Sequence, residues 1–225
     1  MAQFFFIPEM GCSGDMVLSA LADLGAESEI RESVRISLGV NISFDETFKN
    51  GVRAKLLRIN SDERCSPMKM VELIRSAGDI LELDDEQMKF AWDTFETIIE
   101  AERAIHKHDE VHLHEIGCID TVVDIIGATV GFSALGAFES TVLSTPVAVG
   151  KKPAPASLMI LKSRNFDFYT KDLPHELCTP TGASILVNIA KRVEKLEGMG
   201  SYREGCGAGS ADLPIPNVLR IRLVR

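Results

Sequence analysis

The N-terminal segment places a strand, a glycine-bearing turn and a helix in immediate succession, and this order constrains the fold more than any other feature of the sequence. Residues 4–7 form a short apolar, β-prone run that ends at Pro8. After a turn rich in glycine, an apolar pattern with helical spacing begins at Met16 and ends at Gly25. A strand that leads through a tight turn into a helix is the usual beginning of an α/β unit.

The rest of the chain continues this alternation. Asn50-Gly51 lies between two β-prone runs, residues 40–48 and 52–59, which predicts an antiparallel hairpin. We predict further helices at residues 28–38, 67–77, 84–107, 120–135, 155–163 and 181–193, and further strands at residues 111–115, 141–149 and 218–224. The glycines of residues 205–209 are predicted to lie in a loop. The predicted fold class is α/β, with a mixed sheet, flanking helices and at least one antiparallel hairpin. We expect one domain over residues 1–225, with residues 40–60 as a candidate subdomain.

Charge and composition exclude several classes of protein. The 225 residues carry 24 Lys and Arg against 33 Asp and Glu, a formal net charge of −9, and such a chain repels nucleic acid. No apolar run approaches the roughly 20 residues that span a bilayer. Five widely spaced cysteines and the absence of a basic, apolar leader favour reduced thiols. We therefore expect a cytoplasmic protein that binds neither nucleic acid nor a membrane.

Four of the five histidines fall within nine residues, close to several carboxylates. In an extended segment His112 and His114 share a face while Glu115 points to the other. Asp120 and Asp124 are four residues apart, so they are neighbours on one helix face. Two imidazoles with nearby carboxylates suit a borderline divalent metal such as nickel, zinc or cobalt. Solvated histidines and an aspartate near a helix start are the alternative interpretation.

Two further segments could contact a ligand through helix starts. Ser13, Gly14 and Asp15 lie between the first strand and the first helix, where backbone N–H groups form an anion site, although Ser13 as an ordinary N-cap also explains them. Cys12 beside them is either a reactive thiol or a small buried residue. Residues 176–183 contain Thr179, Thr181 and Gly182, which either cap the following helix or approach a ligand.

Taken together, these segments resemble one family, the LarC nickel insertion proteins. The resemblance is carried, in order along the chain, by SGDM at residues 13–16, VHLHEIGCIDTVVDIIG at 111–127, PAPA at 153–156, LCTPTGA at 177–183, GCGAG at 205–209 and PNVLR at 216–220. These motifs span nearly the whole chain, so the resemblance is specific. It covers the N-terminal half of the family's full-length protein.

The resemblance implies an activity in the assembly of a nickel-pincer cofactor. Proteins of this family insert Ni(II) into pyridinium-3,5-bisthiocarboxylic acid mononucleotide, forming nickel–carbon and nickel–sulfur bonds in a CTP-dependent step, and are formally lyases. The expected partner is this mononucleotide precursor. The CTP site belongs to the family's C-terminal half, which would exist here either as a separate chain or not at all.

Site residues follow from the same resemblance. His112 and His114 are expected to bind nickel, with Glu115 or Asp120 completing the ligand set and Asp124 as a further ligand or as a partner that orients an imidazole. The residues expected to be catalytic are Asp15 and Glu115. The residues expected to contact the mononucleotide are Ser13, Gly14, Thr179, Thr181 and Gly182.

The sequence departs from the family pattern at several positions. Ile7 stands where the family has an Asp, and Glu9 where it has an aromatic residue. Residues 61–65 replace a histidine-rich run, and Lys151-Lys152 stands where an Ala-His-Gly stretch is missing. Two alternatives therefore remain: a homologue that binds metal or a partner without insertion activity, and a zinc hydrolase with a metal-bound water.

Overall fold

The computed structural model describes residues 2–60, 64–106, 119–196 and 200–224. In these ranges the α-helices are α1 (Gly14–Leu21), α2 (Glu27–Leu38), α3 (Pro67–Ile80), α4 (Asp85–His106), α5 (Ile119–Leu135), α6 (Pro155–Ser163) and α7 (Pro180–Ile189), and a π-helical segment, Ala22–Ala26, joins α1 to α2. The strands are β1 (Gln3–Ile7), β2 (Ile42–Lys49), β3 (Val52–Ile59), β4 (Thr141–Ser144), β5 (Val147–Val149), β6 (Phe168–Thr170), β7 (Lys191–Arg192), β8 (Tyr202–Ala208) and β9 (Val218–Val224). None of the described helices has the length and apolar character needed to cross a membrane.

Seven strands form one mixed sheet in the order β2-β3-β8-β9-β1-β4-β7. β1 runs parallel to β4, and β3 runs parallel to β8, whereas β9 runs antiparallel to both of its neighbours, β8 and β1. β5 and β6 form a second, two-stranded parallel sheet. This mixed sheet with flanking helices confirms the predicted fold class.

One face of the large sheet packs against helices. Phe4 and Phe6 of β1 are fully buried, and the Phe6 ring lies 6.1 Å from the ring of Phe132 in α5. α1 packs across β3, β8 and β9 on the same layer. α5 is buried along most of its length, as its nearly continuous apolar sequence predicts.

The predicted hairpin is confirmed as β2 and β3. Asn50 and Gly51 both adopt positive φ, at 47° and 83°, as a two-residue hairpin turn requires. The strands pair from Lys49 opposite Val52 to Ile42 opposite Ile59. Through the pairing of β3 with β8 the hairpin extends the large sheet. The division into domains stays a prediction.

The glycines of residues 205–209 lie in a strand for the most part, so the predicted loop is wrong. β8 contains Gly205 and Gly207, and α1 packs directly on both. A Cβ atom on Gly207 would lie 1.9 Å from the Met16 carbonyl oxygen, and one on Gly205 would lie 2.2 Å from that of Ala20. Glycine within a strand is what lets a helix backbone approach this closely.

Two other boundaries differ from the predictions because the chain changes sheet or direction. The predicted strand 141–149 is two strands, β4 and β5, which belong to different sheets and are separated by Thr145-Pro146. The predicted helix 181–193 ends at Ile189, because the chain becomes extended at Ala190 and pairs with β4 as β7. The predicted strand 111–115 lies outside the described residues.

Candidate functional site

Three helices begin at one pocket, which we call the acidic pocket. It has a volume of about 470 Å³ and lies where α1, α5 and α7 start, beside the carboxyl end of β3. Its lining residues are Ser13, Gly14, Asp15, Leu57, Arg58, Ile59, Asp120, Thr121, Asp124, Thr179 and Thr181. The fold therefore brings together residues that the sequence predicts for the site from three segments far apart in the chain.

Asp124 is the most constrained carboxylate of the acidic pocket. Its side chain lies against the α-carbon of Gly14, where a Cβ atom would come within 2.0 Å of Asp124 Oδ2. Among the described residues, Asp124 Oδ1 is buried and has no hydrogen-bond partner. Burial raises the pKa of Asp124 well above its usual range, and the nearby charges of Asp15 and Asp120 raise it further. Burial and these charges therefore disfavour the ionised form of Asp124 when no cation is nearby.

Asp15 lies in the first turn of α1, where hydrogen bonds stabilise its ionised form. Ser13 Oγ donates a hydrogen bond to Asp15 Oδ1. Burial raises the pKa of Asp15, while the Ser13 hydroxyl and the backbone N–H of Met16 lower it in part. Ser13 occupies the N-cap position with extended backbone angles, but its side chain makes no capping hydrogen bond. Its hydroxyl is hydrogen-bonded to Asp15 instead.

The start of α7 is held against the loop before α1. Thr179 Oγ1 accepts a hydrogen bond from the backbone N–H of Gly182 at 3.2 Å, which confirms Thr179 as a helix cap. A Cβ atom on Gly182 would lie 2.1 Å from the carbonyl oxygen of Cys12. Gly182 thus contacts the backbone of the loop, whereas Thr179 and Thr181 line the pocket.

The thiols next to the pocket are buried and protonated. Cys12 is fully buried, and burial together with the neighbouring Cys178 raises its pKa well above the usual value. Burial also raises the pKa of Cys178, to about 12. Of the two interpretations of Cys12, the structure favours a small buried residue over a reactive thiolate.

The remaining predicted metal ligands, His112, His114 and Glu115, lie outside the described residues. Within the ranges that the structure describes, no three His, Cys, Asp or Glu side chains are grouped so that they could hold a metal ion. Asp120 and Asp124 share the acidic pocket without forming a ready ligand set by themselves. The complete set of nickel ligands stays a prediction.

Sequence reasoning missed the contribution of the hairpin to this site. Leu57, Arg58 and Ile59 line the pocket because β3 lies beside β8 in the sheet, and no local pattern predicts this neighbour. Arg58 Nε also donates to Asp45 Oδ2 at 2.9 Å across the hairpin. Thr121 was missed as well, although its position directly after Asp120 at the start of a predicted helix could have indicated it.

Comparisons with known proteins identify relatives of the chain. The sequence profile of the family described as nickel insertion protein matches residues 4–224. A relative from Methanosarcina acetivorans is 35% identical over 239 residues, covering 98% of this chain and 59% of the relative. A relative from Methanothermobacter thermautotrophicus is 36% identical over 232 residues, covering 94% of this chain and 56% of the relative.

A third relative carries a more specific name. The pyridinium-3,5-bisthiocarboxylic acid mononucleotide nickel insertion protein of Staphylococcus saprophyticus is 32% identical over 226 residues, covering 93% of this chain and 56% of the relative. The chain therefore spans somewhat more than half the length of these relatives. No solved structure matches it. Because the family profile matches nearly the whole chain, the chain belongs to the nickel insertion protein family.

Proposed function

We propose that the acidic pocket holds Ni(II) before its transfer to pyridinium-3,5-bisthiocarboxylic acid mononucleotide. The observation that carries this proposal is the buried carboxylate of Asp124, one of whose oxygens has no hydrogen-bond partner among the described residues. Asp15 and Asp120 line the same pocket. The three helix starts supply roughly +0.5 charge each, about half of what three ionised carboxylates carry. Arg58 also lines the pocket, but its guanidinium is paired with Asp45 across the hairpin. A bound divalent cation would stabilise the ionised form of the buried carboxylates, whereas a phosphate would be repelled by them.

The ligand chemistry that we propose combines oxygen and nitrogen donors. Asp120 and Asp124 would supply carboxylate oxygens from one helix face. His112 and His114 would supply the imidazoles that nickel prefers, with Glu115 as a further oxygen donor. His114 is only six residues before Asp120 in the sequence, so the two halves of the ligand set are covalently close.

The insertion step needs an acceptor for a proton. When nickel forms a bond to a ring carbon of the precursor, a C–H bond breaks and the proton goes to a base, while the thiocarboxylate sulfurs donate lone pairs to the metal. Burial raises the pKa of Asp15, which makes its carboxylate a stronger base than an exposed one. We assign the proton to Asp15 and the CTP-dependent part of the reaction to a C-terminal half of the family's kind.

A calorimetric titration of the metal-free protein with Ni(II) tests the binding proposal. We expect one-to-one binding that is lost in Asp120→Asn/Asp124→Asn and in His112→Ala/His114→Ala. Asp79→Asn, which removes an exposed carboxylate of α3 outside the pocket, should bind like the wild type. A Zn(II) titration serves as the comparison metal. Nickel binding that survives both double substitutions would overturn the acidic pocket as the nickel site.

Insertion is tested separately, by adding the precursor, Ni(II), CTP and the C-terminal half of a full-length relative. Mass spectrometry should then show the precursor with nickel added and a proton lost. A protein that binds nickel in the acidic pocket but yields no such product would be the homologue without insertion activity.

A further inference from the structure

A second pocket, which we call the arginine pocket, lies at the carboxyl end of β1. It has a volume of about 500 Å³, within the usual range of small-molecule sites. Its charged and aromatic lining residues are Glu9, Tyr169, Glu194, Lys195, Arg220 and Arg222, and Ile7 lies beside them. Two of them, Ile7 and Glu9, are positions at which the sequence departs from the family pattern. Arg220 is the last residue of the PNVLR motif, and no residue of this motif lines the acidic pocket.

The strand register places the two arginines on the face of the sheet that points away from α1. Gly205 and Gly207 of β8 contact α1, and the residues opposite them on β9 are Ile221 and Leu219, both fully buried. Arg220 and Arg222 alternate with these residues, so their side chains point to the opposite face. α1 therefore does not cover this surface.

Arg220 and Arg222 share one carboxylate, that of Glu204. Arg222 Nε donates to Glu204 Oε2 at 2.6 Å, and the Arg222 guanidinium lies 4.5 Å from the centre of the Tyr202 ring. Arg220 Nε lies 3.8 Å from Glu204 Oε1, beyond hydrogen-bonding distance. Arg222 is thus fixed on both sides, whereas the guanidinium of Arg220 keeps N–H donors for a ligand. The two half-buried guanidiniums share a single carboxylate, so positive charge is in excess. A phosphate suits this arrangement because its oxygens accept paired hydrogen bonds from a guanidinium.

The lining of the arginine pocket also carries negative charge and an aromatic ring. The Glu9 carboxylate is exposed there, and the Glu9 carbonyl oxygen accepts hydrogen bonds from Lys171 Nζ at 2.8 Å and Tyr169 Oη at 3.4 Å. The Tyr169 ring is 41% exposed, so one part of it is open to a ligand. A cationic ring is attracted both to an aromatic face and to a carboxylate. With Glu194 also in the lining, the pocket contains both signs of charge and suits a zwitterion rather than a simple anion.

We propose that the arginine pocket binds a pyridinium mononucleotide, with Arg220 on its phosphate and Tyr169 and Glu9 beside its positively charged ring. This inference names the substrate-binding residues of the proposed nickel insertion and rests on that function for its biological meaning. Residues 8–13 form the single loop that joins Ile7 of this pocket to Ser13 of the acidic pocket. The two pockets therefore lie on the two sides of one loop, and nickel insertion would require the precursor ring to pass this loop to reach the metal and Asp15.

Calorimetry without metal tests this proposal, with nicotinic acid mononucleotide as the pyridinium probe, uridine monophosphate as a nucleotide without a cationic ring, and inorganic phosphate. We expect the pyridinium probe to bind at least tenfold more tightly than inorganic phosphate. Arg220→Gln should weaken both nucleotides about tenfold or more. Glu9→Gln should weaken the pyridinium probe several-fold and leave uridine monophosphate unchanged, because only the former carries a positive ring.

Two further variants distinguish a change in ligand binding from a loss of the folded structure. Glu204→Gln frees both arginines from their carboxylate, so it should strengthen nucleotide binding several-fold, a gain that misfolding cannot produce. Arg203→Gln removes an exposed arginine of β8 that does not line the pocket, and it should bind like the wild type. No binding of the pyridinium probe at millimolar concentration, or equal effects of Arg220→Gln and Arg203→Gln, would overturn the proposal. Because no nickel is present, these results are independent of the nickel titrations.

Discussion

The acidic pocket and the arginine pocket flank the same loop, but their charged side chains are arranged in opposite ways. In the acidic pocket, like charges lie together, and Asp124 is buried with an oxygen that has no partner among the described residues. In the arginine pocket, the lining residues Arg220 and Arg222 are paired with the neighbouring carboxylate of Glu204. Removing charge should therefore stabilise the fold in the first pocket and destabilise it in the second. Groups kept at a cost to the fold are typical of functional sites.

The largest change in the free energy of unfolding is expected from filling the space beside Asp124. In Gly14→Ala the new Cβ atom would lie 2.0 Å from Asp124 Oδ2, so the carboxylate or the start of α1 must move. We expect a loss of about 3 kcal/mol in the free energy of unfolding, measured by urea denaturation. Gly200→Ala is the matched control, since a Cβ atom there meets nothing within 4 Å. Equal stability of the two variants would contradict the tight contact between α1 and α5.

Asp124→Asn should make the metal-free protein more stable at neutral pH, by about 1 kcal/mol. The folded state raises the pKa of Asp124, so the unfolded chain releases this proton at lower pH, and wild-type stability falls as the pH rises above about 4. The asparagine has no such proton to lose. The difference between variant and wild type should thus be near zero at pH 4 and grow towards neutral pH. A variant that is less stable than the wild type at pH 7 would show that the carboxylate supports the fold.

In the arginine pocket, by contrast, removing a charge is expected to lower the free energy of unfolding. Arg222→Gln removes the hydrogen bond to Glu204 and the contact with the Tyr202 ring. Because this ion pair is only half-buried, we expect a loss of about 1 kcal/mol in the free energy of unfolding. Thermal unfolding at low and at 0.5 M salt measures it, and salt should reduce the difference. A stabilising effect would remove the contrast between the two pockets.

The smallest effect is expected from the hydroxyl group of Ser13. Its hydrogen bond lowers the pKa of Asp15, so Ser13→Ala should raise this pKa and let protons compete better with nickel. We expect nickel affinity to fall about threefold at pH 7 and to match the wild type at pH 9. Ser140→Ala, in a turn outside the acidic pocket, is the control. A loss of affinity that persists at pH 9 would mean that the Ser13 hydroxyl contacts the metal directly.

The sequence predicted those parts of the fold whose cause is local. Asn50-Gly51 specifies its turn by backbone angles alone, and the helix predicted from residue 67 begins there as α3. β8 was missed because its glycines are required by α1, a helix almost two hundred residues earlier. No pattern within residues 202–208 contains that requirement.

The same distinction applies to the site. Asp120, Asp124 and the Ser13–Asp15 turn were predicted by residue type and spacing, and the fold places them in one pocket. The arginine pocket was not predicted, because Arg220 and Tyr169 meet only through the order of the strands and the position of the small sheet. Chemistry that one segment supplies can be predicted from sequence, whereas chemistry that several segments supply together needs the topology.

Because β9 is the central strand of the large sheet, the sheet cannot be completed until the C-terminal residues have been synthesised. β9 lies between β8 and β1, and it pairs Gln3 with Val224. At a translation rate of about 5–20 residues per second, β1 waits roughly 10–45 s for this neighbour to be synthesised. During that interval the apolar side chains of Phe4, Phe5 and Phe6 lack one of their two flanking strands. Ribosome-associated chaperones are therefore expected to engage the first strand, and a nascent chain stalled before residue 218 should be the most prone to aggregate.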